Sequence, residues 1–320
     1  MGWPRIGIDQ PDRRSAVGMI EAIARAEQHG VPMVWSITGA RSPDALTAFA
    51  AAAVRTTTIQ FGTAIVPTYP RHPVVMAQQT LVVHELAPGR FRLGIGPSHR
   101  PTIEGAYGIP MEKPLAHLRE YLTVLRALLW EGRVEFQGQY FHVNTELVGK
   151  APVPIYTSAL RENAFRLAGE LADGAISWMC PAHYILTKAL PALEAGATRA
   201  GRTERPRLVA HVPVVLTDDP TQMHQRARNV VGSYARMPFY AAMFADAGFP
   251  LPADGTPTDE LLDHLVVWGT PQRVTERLVS LLDQGIDELL LMLIYGPDRE
   301  GDESQFYDIV RTVHQHVGER

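Results

Sequence analysis

The chain has 320 residues, 46% of them hydrophobic and 20% charged, with a formal net charge of −4. That composition is globular, not disordered, and the lack of a basic block argues against nucleic acid as the main partner. The one cysteine, Cys180, excludes an internal disulfide; no apolar run spans a bilayer, and no charged-then-apolar leader precedes Trp3, which reads as a cytoplasmic protein without a membrane partner.

In chain order, Arg5–Ile8 is a strand candidate, and Pro11-Asp12 opens a helix with Val17, Ile20, Ile23 and Ala24 on one face, ending at Gly30. Met33–Ile37 is the second strand. Ser42-Pro43-Asp44 predicts a helix start, with Ser42 as N-cap and Pro43 at the first helical position, leading into Ala45–Val54. Ile59–Val66 is the third strand, followed by a helix over Pro73–Leu86. Phe91–Ile95 is the fourth, entered through the turn Ala87-Pro88-Gly89. After a long loop, Leu115, Leu118, Leu122, Leu125 and Leu129 make a core-facing helical stripe. Val134–Val143 reads as a hairpin turning at Gln137-Gly138, an insertion after the fourth helix.

Val153–Thr157 is strand five, with a helix over Glu162–Leu171. Gly174–Trp178 is strand six, with a helix over Tyr184–Ala200, and Arg207–Leu216 is strand seven. Two helical stretches, Thr221–Ala247 and Asp259–Val267, flank the Pro/Gly-rich segment Gly248–Pro257 as an insertion after strand seven. Gly269-Thr270-Pro271 caps Gln272–Gln284, Glu288–Ile294 is strand eight, and Glu303–Val317 is the last helix. Eight strands evenly separated by helices predict one (β/α)8 barrel over residues 1–320. The alternative, an open dinucleotide-binding sheet, lacks its glycine-rich turn, since Ile8-Asp9-Gln10-Pro11 holds no glycine.

In such a barrel the loops after the strands carry the chemistry. They are poor in acid–base groups. The His-x-His at His314 and His316 lies on different faces of the terminal helix, so no metal site is expected; Glu104 has no paired carboxylate, and no lysine stands at a strand end. What remains suits a planar cofactor that brings its own reactivity. Gly62 inside strand three suggests a bulge, or a kink demanded by curvature. Gly94 and Gly96 in Leu93-Gly94-Ile95-Gly96-Pro97-Ser98-His99 suggest close backbone approach, or an ordinary tight turn. Ser158 and Arg161 flank a helix start, where a phosphate can bind or a serine can simply cap.

Taken together, Gly62–Pro73, Leu93–His99, His117–Leu122, Leu167–Gly174 and the Gly269–Pro271 turn resemble the bacterial luciferase-like monooxygenase superfamily, in its actinobacterial F420-dependent branch. The resemblance implies the deazaflavin F420, or alternatively FMN, in the barrel mouth, a small-molecule substrate, and a homodimer. It implies a non-prolyl cis peptide at Ala64–Ile65. It places cofactor contacts at Ser36, Thr38, Thr63, Ala64, Ile65, Gly94, Gly96, Pro97, Ser98, Ser158, Ala159, Leu160, Arg161 and Trp178, with His99 as the catalytic candidate or a partner of the cofactor tail.

Two departures stand out. Ile37 and Thr38 occupy the place where many members carry an acidic residue and a histidine, and Arg161-Glu162 replaces a Gly-Pro pair. The leading expectation is an F420-dependent oxidoreductase acting on an apolar or aromatic carbonyl or alkene. The alternatives are an FMN-dependent monooxygenase and a barrel that binds a deazaflavin or apolar ligand without turnover. Met237–Gly255 is expected as a lid or wall over the pocket, or else as a packed helix pair or dimer contact.

Overall fold

Strands β1 (Ile6–Asp9), β2 (Met33–Ser36), β3 (Gln60–Thr63), β5 (Phe91–Gly96), β8 (Ile155–Ser158), β9 (Gly174–Trp178), β10 (Arg207–Leu216) and β12 (Glu288–Leu293) pair in parallel in the computed structural model, which describes residues 2–318. β10 pairs with both β9 and β12, and β12 with β1, so the sheet closes on itself. Among the described residues this is the expected eight-stranded (β/α)8 barrel. Two further pieces flank it: β4 (Val66–Pro67) pairs with β5, and β11 (Val267–Gly269) extends β10.

The barrel interior is filled by a few large side chains and by glycines opposite them. Met33, Trp35, Tyr156, Ile176, Val209 and Leu290 form an apolar cluster separate from the larger core between strands and helices. A Cβ on Gly174 would stand 2.0 Å from the Tyr156 ring, so the glycine makes room for it. At the N-terminal end Arg92 and Glu288 form a fully buried bidentate pair, 2.6 and 2.7 Å. The guanidinium also lies 4.6 Å from the Trp3 ring and 4.7 Å from the Trp35 ring. Paired and enclosed by π faces, the charge is tolerated inside.

Helices α1 (Ala16–Gln28), α2 (Ala45–Ala53), α3 (Pro73–Leu86), α5 (Pro114–Arg126), α6 (Glu162–Leu171), α8 (Leu190–Arg199), α12 (Pro271–Asp283) and α13 (Arg299–Gly318) surround the barrel, with short α4 (Arg100–Gly105) in the long loop and α7 (Ala182–Tyr184) leading into α8. Several details differ from the sequence reading. α1 starts at Ser15, whose side chain caps Gly18 N–H, and it buries Met19, Ala22, Ile23 and Ala26; Val17 is 62% exposed. Ile23 is the one residue this buried face shares with the expected stripe. α2 is capped by Asp44, which accepts from Thr47 N–H at 2.9 Å, while Ser42 accepts from Gly39 N–H.

The third strand is split between β3 and β4 at Ala64–Ile65, where the peptide is cis. The hairpin pairs β6 (Arg133–Gln137) with β7 (His142–Glu146); the intervening turn donates three backbone N–H groups, from Gln139, Tyr140 and Phe141, to the Glu120 carboxylate. The insertion after β10 is α9 (Pro220–Ala235), α10 (Pro238–Asp246) and α11 (Asp259–Leu265). The continuous helix expected over Thr221–Ala247 breaks at Met237, which the following proline drives into the extended region at φ −85°, ψ 127°. The end of the stretch expected to be helical becomes β11, because Val267–Gly269 finds a ladder partner in Val214–Leu216.

Candidate functional site

Side chains two residues apart on a strand share a face. Tyr156, Ile176 and Val209 belong to the interior cluster, so Ser158, Trp178 and His211 stand one layer above them, at the C-terminal mouth. Gly7 faces Trp35, its absent Cβ 3.1 Å from the ring, which puts Asp9 in the same upper layer. Ala64 and Ile65 pack against the interior cluster from the split strand. The mouth is therefore built from the ends of β1, β3, β8, β9 and β10.

An aromatic wall rises from this layer into the helical insertion. Trp178 lies 4.1 Å from His211 and 5.5 Å from Tyr234, measured between ring centroids. Tyr234 packs 5.1 Å from Tyr240, and His99 meets both at 5.9 and 5.7 Å. Tyr234 comes from α9 and Tyr240 from α10, so the Met237–Pro238 break is what turns two tyrosines toward one histidine. Tyr240 lies within the Met237–Gly255 segment and Tyr234 just before it.

The polar groups of the mouth are few. Asp9 is paired with Arg13, four residues on in the loop that follows β1, while its second oxygen, Oδ1, is buried without a hydrogen bond. Burial raises the Asp9 carboxyl above its ordinary range, against the pull of Arg13. Gln10 fixes this loop, its side-chain amide donating to the carbonyls of Asp12 and Met19 at 3.0 Å each. His211 Nε2 is also buried without a partner, and burial together with nearby Arg13 depresses the ring to about 3. Burial lowers His99 as well. Burial favours the neutral form of both imidazoles.

The expected cofactor contacts divide into two groups. Ala64, Ile65, Ser158, Trp178 and His99 gather at the mouth or its wall, and Ser98 adopts the left-handed conformation, φ 61°, in the same loop as Pro97. Thr38 and Thr63 are spent on the scaffold. Thr38 Oγ1 accepts from Ala45 N–H and its N–H donates to Ile65; Thr63 Oγ1 donates to Gly94 O at 2.7 Å and accepts from Gly94 N–H at 2.8 Å. Ser36 is fully buried, and its carbonyl accepts from Ala64 N–H.

The two glycines expected to admit a ligand admit protein. A Cβ on Gly94 would stand 1.9 Å from the Thr63 carbonyl oxygen, and one on Gly96 2.1 Å from Ser158 Oγ. Ala159 N–H is taken by Ile176 O, and Leu160 O by Tyr184. Arg161 is held by Asp246 of α10, at 3.1 Å through Nε and 3.0 Å through Nη2. No side chain caps α6; the Ala164 and Phe165 N–H groups donate to Arg161 O, which leaves those of Glu162 and Asn163 to face an anion.

The sequence puts Asp9 and His211 in the loops after the strands and Tyr240 in Met237–Gly255 without giving any of them a role, and Arg13 and Tyr234 it does not mark. The usable signal was the period-two step from Val209 to His211 and from Gly7 to Asp9, which needs the inward face to be known first. Among the described residues no group of three His, Cys, Asp or Glu side chains is placed to hold a metal ion. No helix among them is long and apolar enough to cross a membrane.

Residues 7–288 match the luciferase-like monooxygenase family. The chain belongs to that family. A similar relative is the F420-dependent glucose-6-phosphate dehydrogenase of Beutenbergia cavernae, 30% identical over 86% of this chain and 82% of the relative. The 5,10-methylenetetrahydromethanopterin reductase of Methanolobus tindarius is 28% identical over 86% of this chain and 90% of its own. In fold, an F420-dependent secondary alcohol dehydrogenase in complex with an F420–acetone adduct aligns with TM-score 0.80 at 18% identity, over 98% of this chain and 99% of that one. This luciferase-like barrel thus keeps the architecture of its structural neighbours.

Proposed function

We propose that this protein is an F420-dependent oxidoreductase that moves a hydride between the deazaflavin and an apolar or aromatic carbonyl or alkene substrate. The observation that carries the reading is the mouth itself: aromatic walls, neutral imidazoles and one self-compensated carboxylate leave the redox step to a bound ring. The similarity to F420-dependent relatives supports the choice of ring.

The residues fit such a group. Ala64 and Ile65 offer it a backbone edge, Trp178 an apolar face, and the uncapped start of α6 with Ser158 a place for a phosphate. When bound, the deazaflavin supplies hydride transfer. The chain's part is to hold substrate and ring in contact, exclude water with the tyrosines of α9 and α10, and offer hydrogen bonds to the substrate.

A fluorescence titration with F420, run in parallel with FMN, tests the reading. Saturable F420 binding with FMN excluded is the expected result. Tight FMN binding would replace it with a flavin monooxygenase, and normal F420 affinity without turnover over a carbonyl and alkene panel would leave a binding protein. A single-domain homodimer belongs to the same proposal, supported by Val75, Val82 and Leu86, which leave one apolar face of α3 exposed. Light scattering at micromolar concentration checks it.

A further inference from the structure

The mouth has two unlike ends. On the β3, β5 and β8 side lie the split strand, Ser158 and the open start of α6, the features that suit the cofactor. On the β1 and β10 side lie Asp9, Arg13 and His211, which the cofactor reading does not use. Two buried polar atoms here, Asp9 Oδ1 and His211 Nε2, have no hydrogen-bond partner among the described residues. An unmet buried polar atom costs about 1–3 kcal/mol, so two at one end of a ligand-binding mouth call for a ligand atom.

We infer that Asp9, Arg13 and His211 form a substrate pole that seats the hydroxyl or carbonyl oxygen of a small uncharged molecule, with its apolar body against Tyr234. The chemistry of the pole sets the class. Asp9 already neutralises Arg13, and the His211 ring is neutral, so no free positive charge is left to attract a phosphate or carboxylate. A neutral imidazole nitrogen instead accepts from a hydroxyl or, in its other tautomer, donates to a carbonyl. The tilted 4.1 Å contact with Trp178 fixes the ring so that Nε2 keeps its direction. His211 thereby takes the substrate-facing place that the sequence reading gave to His99, whose ring is turned against Tyr234 and Tyr240.

The inference borrows only its chemistry from the oxidoreductase reading; the pole stands on geometry. It is tested by nitrogen-detected NMR of the histidine rings in full-length protein, with and without F420. Cyclohexanol and cyclohexanone serve as uncharged probes, and glucose 6-phosphate as the anionic one. The His211 Nε2 resonance should move saturably with both ring compounds and stay still with the sugar phosphate. His211→Phe, which keeps a ring against Trp178, should weaken cyclohexanol binding about tenfold and leave F420 affinity within about twofold.

A ring alcohol that moves His99 but not His211, an uncharged probe that moves neither, or tighter binding of glucose 6-phosphate at His211 would each overturn the pole. If F420 fails to bind while His211 still responds to cyclohexanol, the oxidoreductase reading falls and the pole remains. F420 binding with a silent His211 means the reverse.

Discussion

The ring of Trp35 occupies the space that a side chain at residue 62 would need: a Cβ built on Gly62 lies 2.2 Å from it. One aromatic ring and one glycine therefore share a single site in the barrel interior, directly below the mouth. Gly62→Ala should lower the urea midpoint by an amount equivalent to about 1–3 kcal/mol, the usual cost of overpacking, and Gly62→Ala with Trp35→Phe should recover part of it. An unchanged midpoint for the single variant would mean the indole is free to move aside.

The floor makes a second case. Glu288→Gln leaves the Arg92 guanidinium buried with a neutral partner, and breaking such a pair costs about 3–5 kcal/mol. Thermal denaturation should show a Tm lower by many degrees. Replacing both residues together by apolar ones of similar volume is expected to cost much less than the single change.

Gly96 and Ser158 are coupled by contact, since a Cβ at residue 96 would meet Ser158 Oγ. Gly96→Ala should push that hydroxyl out of place and weaken F420 binding about tenfold. Gly96→Ala with Ser158→Gly should restore most of the affinity, a coupling of about 1 kcal/mol. Equal loss in single and double variants would show that the glycine meets the cofactor directly.

Arg161 and Asp246 are both about half exposed, so removing their pair should change stability by less than about 1 kcal/mol. Anion binding is another matter. Asp246→Asn frees the guanidinium beside the open end of α6 and should tighten F420 binding severalfold at low salt, with the gain fading as salt rises. Titrations at two ionic strengths decide it.

Acid sensitivity follows from two histidines. Burial holds His117 at about 4 and His211 at about 3, against 6.5 in an unfolded chain. Both folded values are depressed, so their contribution is whole above pH 6.5 and declines as pH falls toward 4 and 3, because the unfolded chain takes up protons there first. Urea midpoints measured from pH 7.5 to 4 should fall, and His117→Phe or His211→Phe should flatten the decline. The flattening in His211→Phe should occur with or without cofactor.

The strands and most helices were legible because each has a strong pattern and clear ends; β9 at Gly174–Trp178 and α3 at Pro73–Leu86 fall where the spacing put them. Family motifs gave the cis peptide at Ala64–Ile65, which no periodicity announces. The cap of α2 was misread since Ser42 and Asp44 are both good N-caps and only the backbone chooses between them. Val267 ends a stretch that looks helical by local pattern, and Val267–Gly269 becomes a strand only through its partner on β10. The substrate end stayed hidden for a similar reason. His211 lies in an alternating valine-rich run, and which half of that run faces inward depends on how seven other strands close around it.

The buried pair of Arg92 and Glu288, sealed by Trp3 and Trp35, makes the barrel blind at one end. Traffic must then use a single door, the one beneath Tyr234 and Tyr240. The floor and the mouth therefore divide the work: the charge pair at one end carries stability, and whatever the barrel binds meets only the other end.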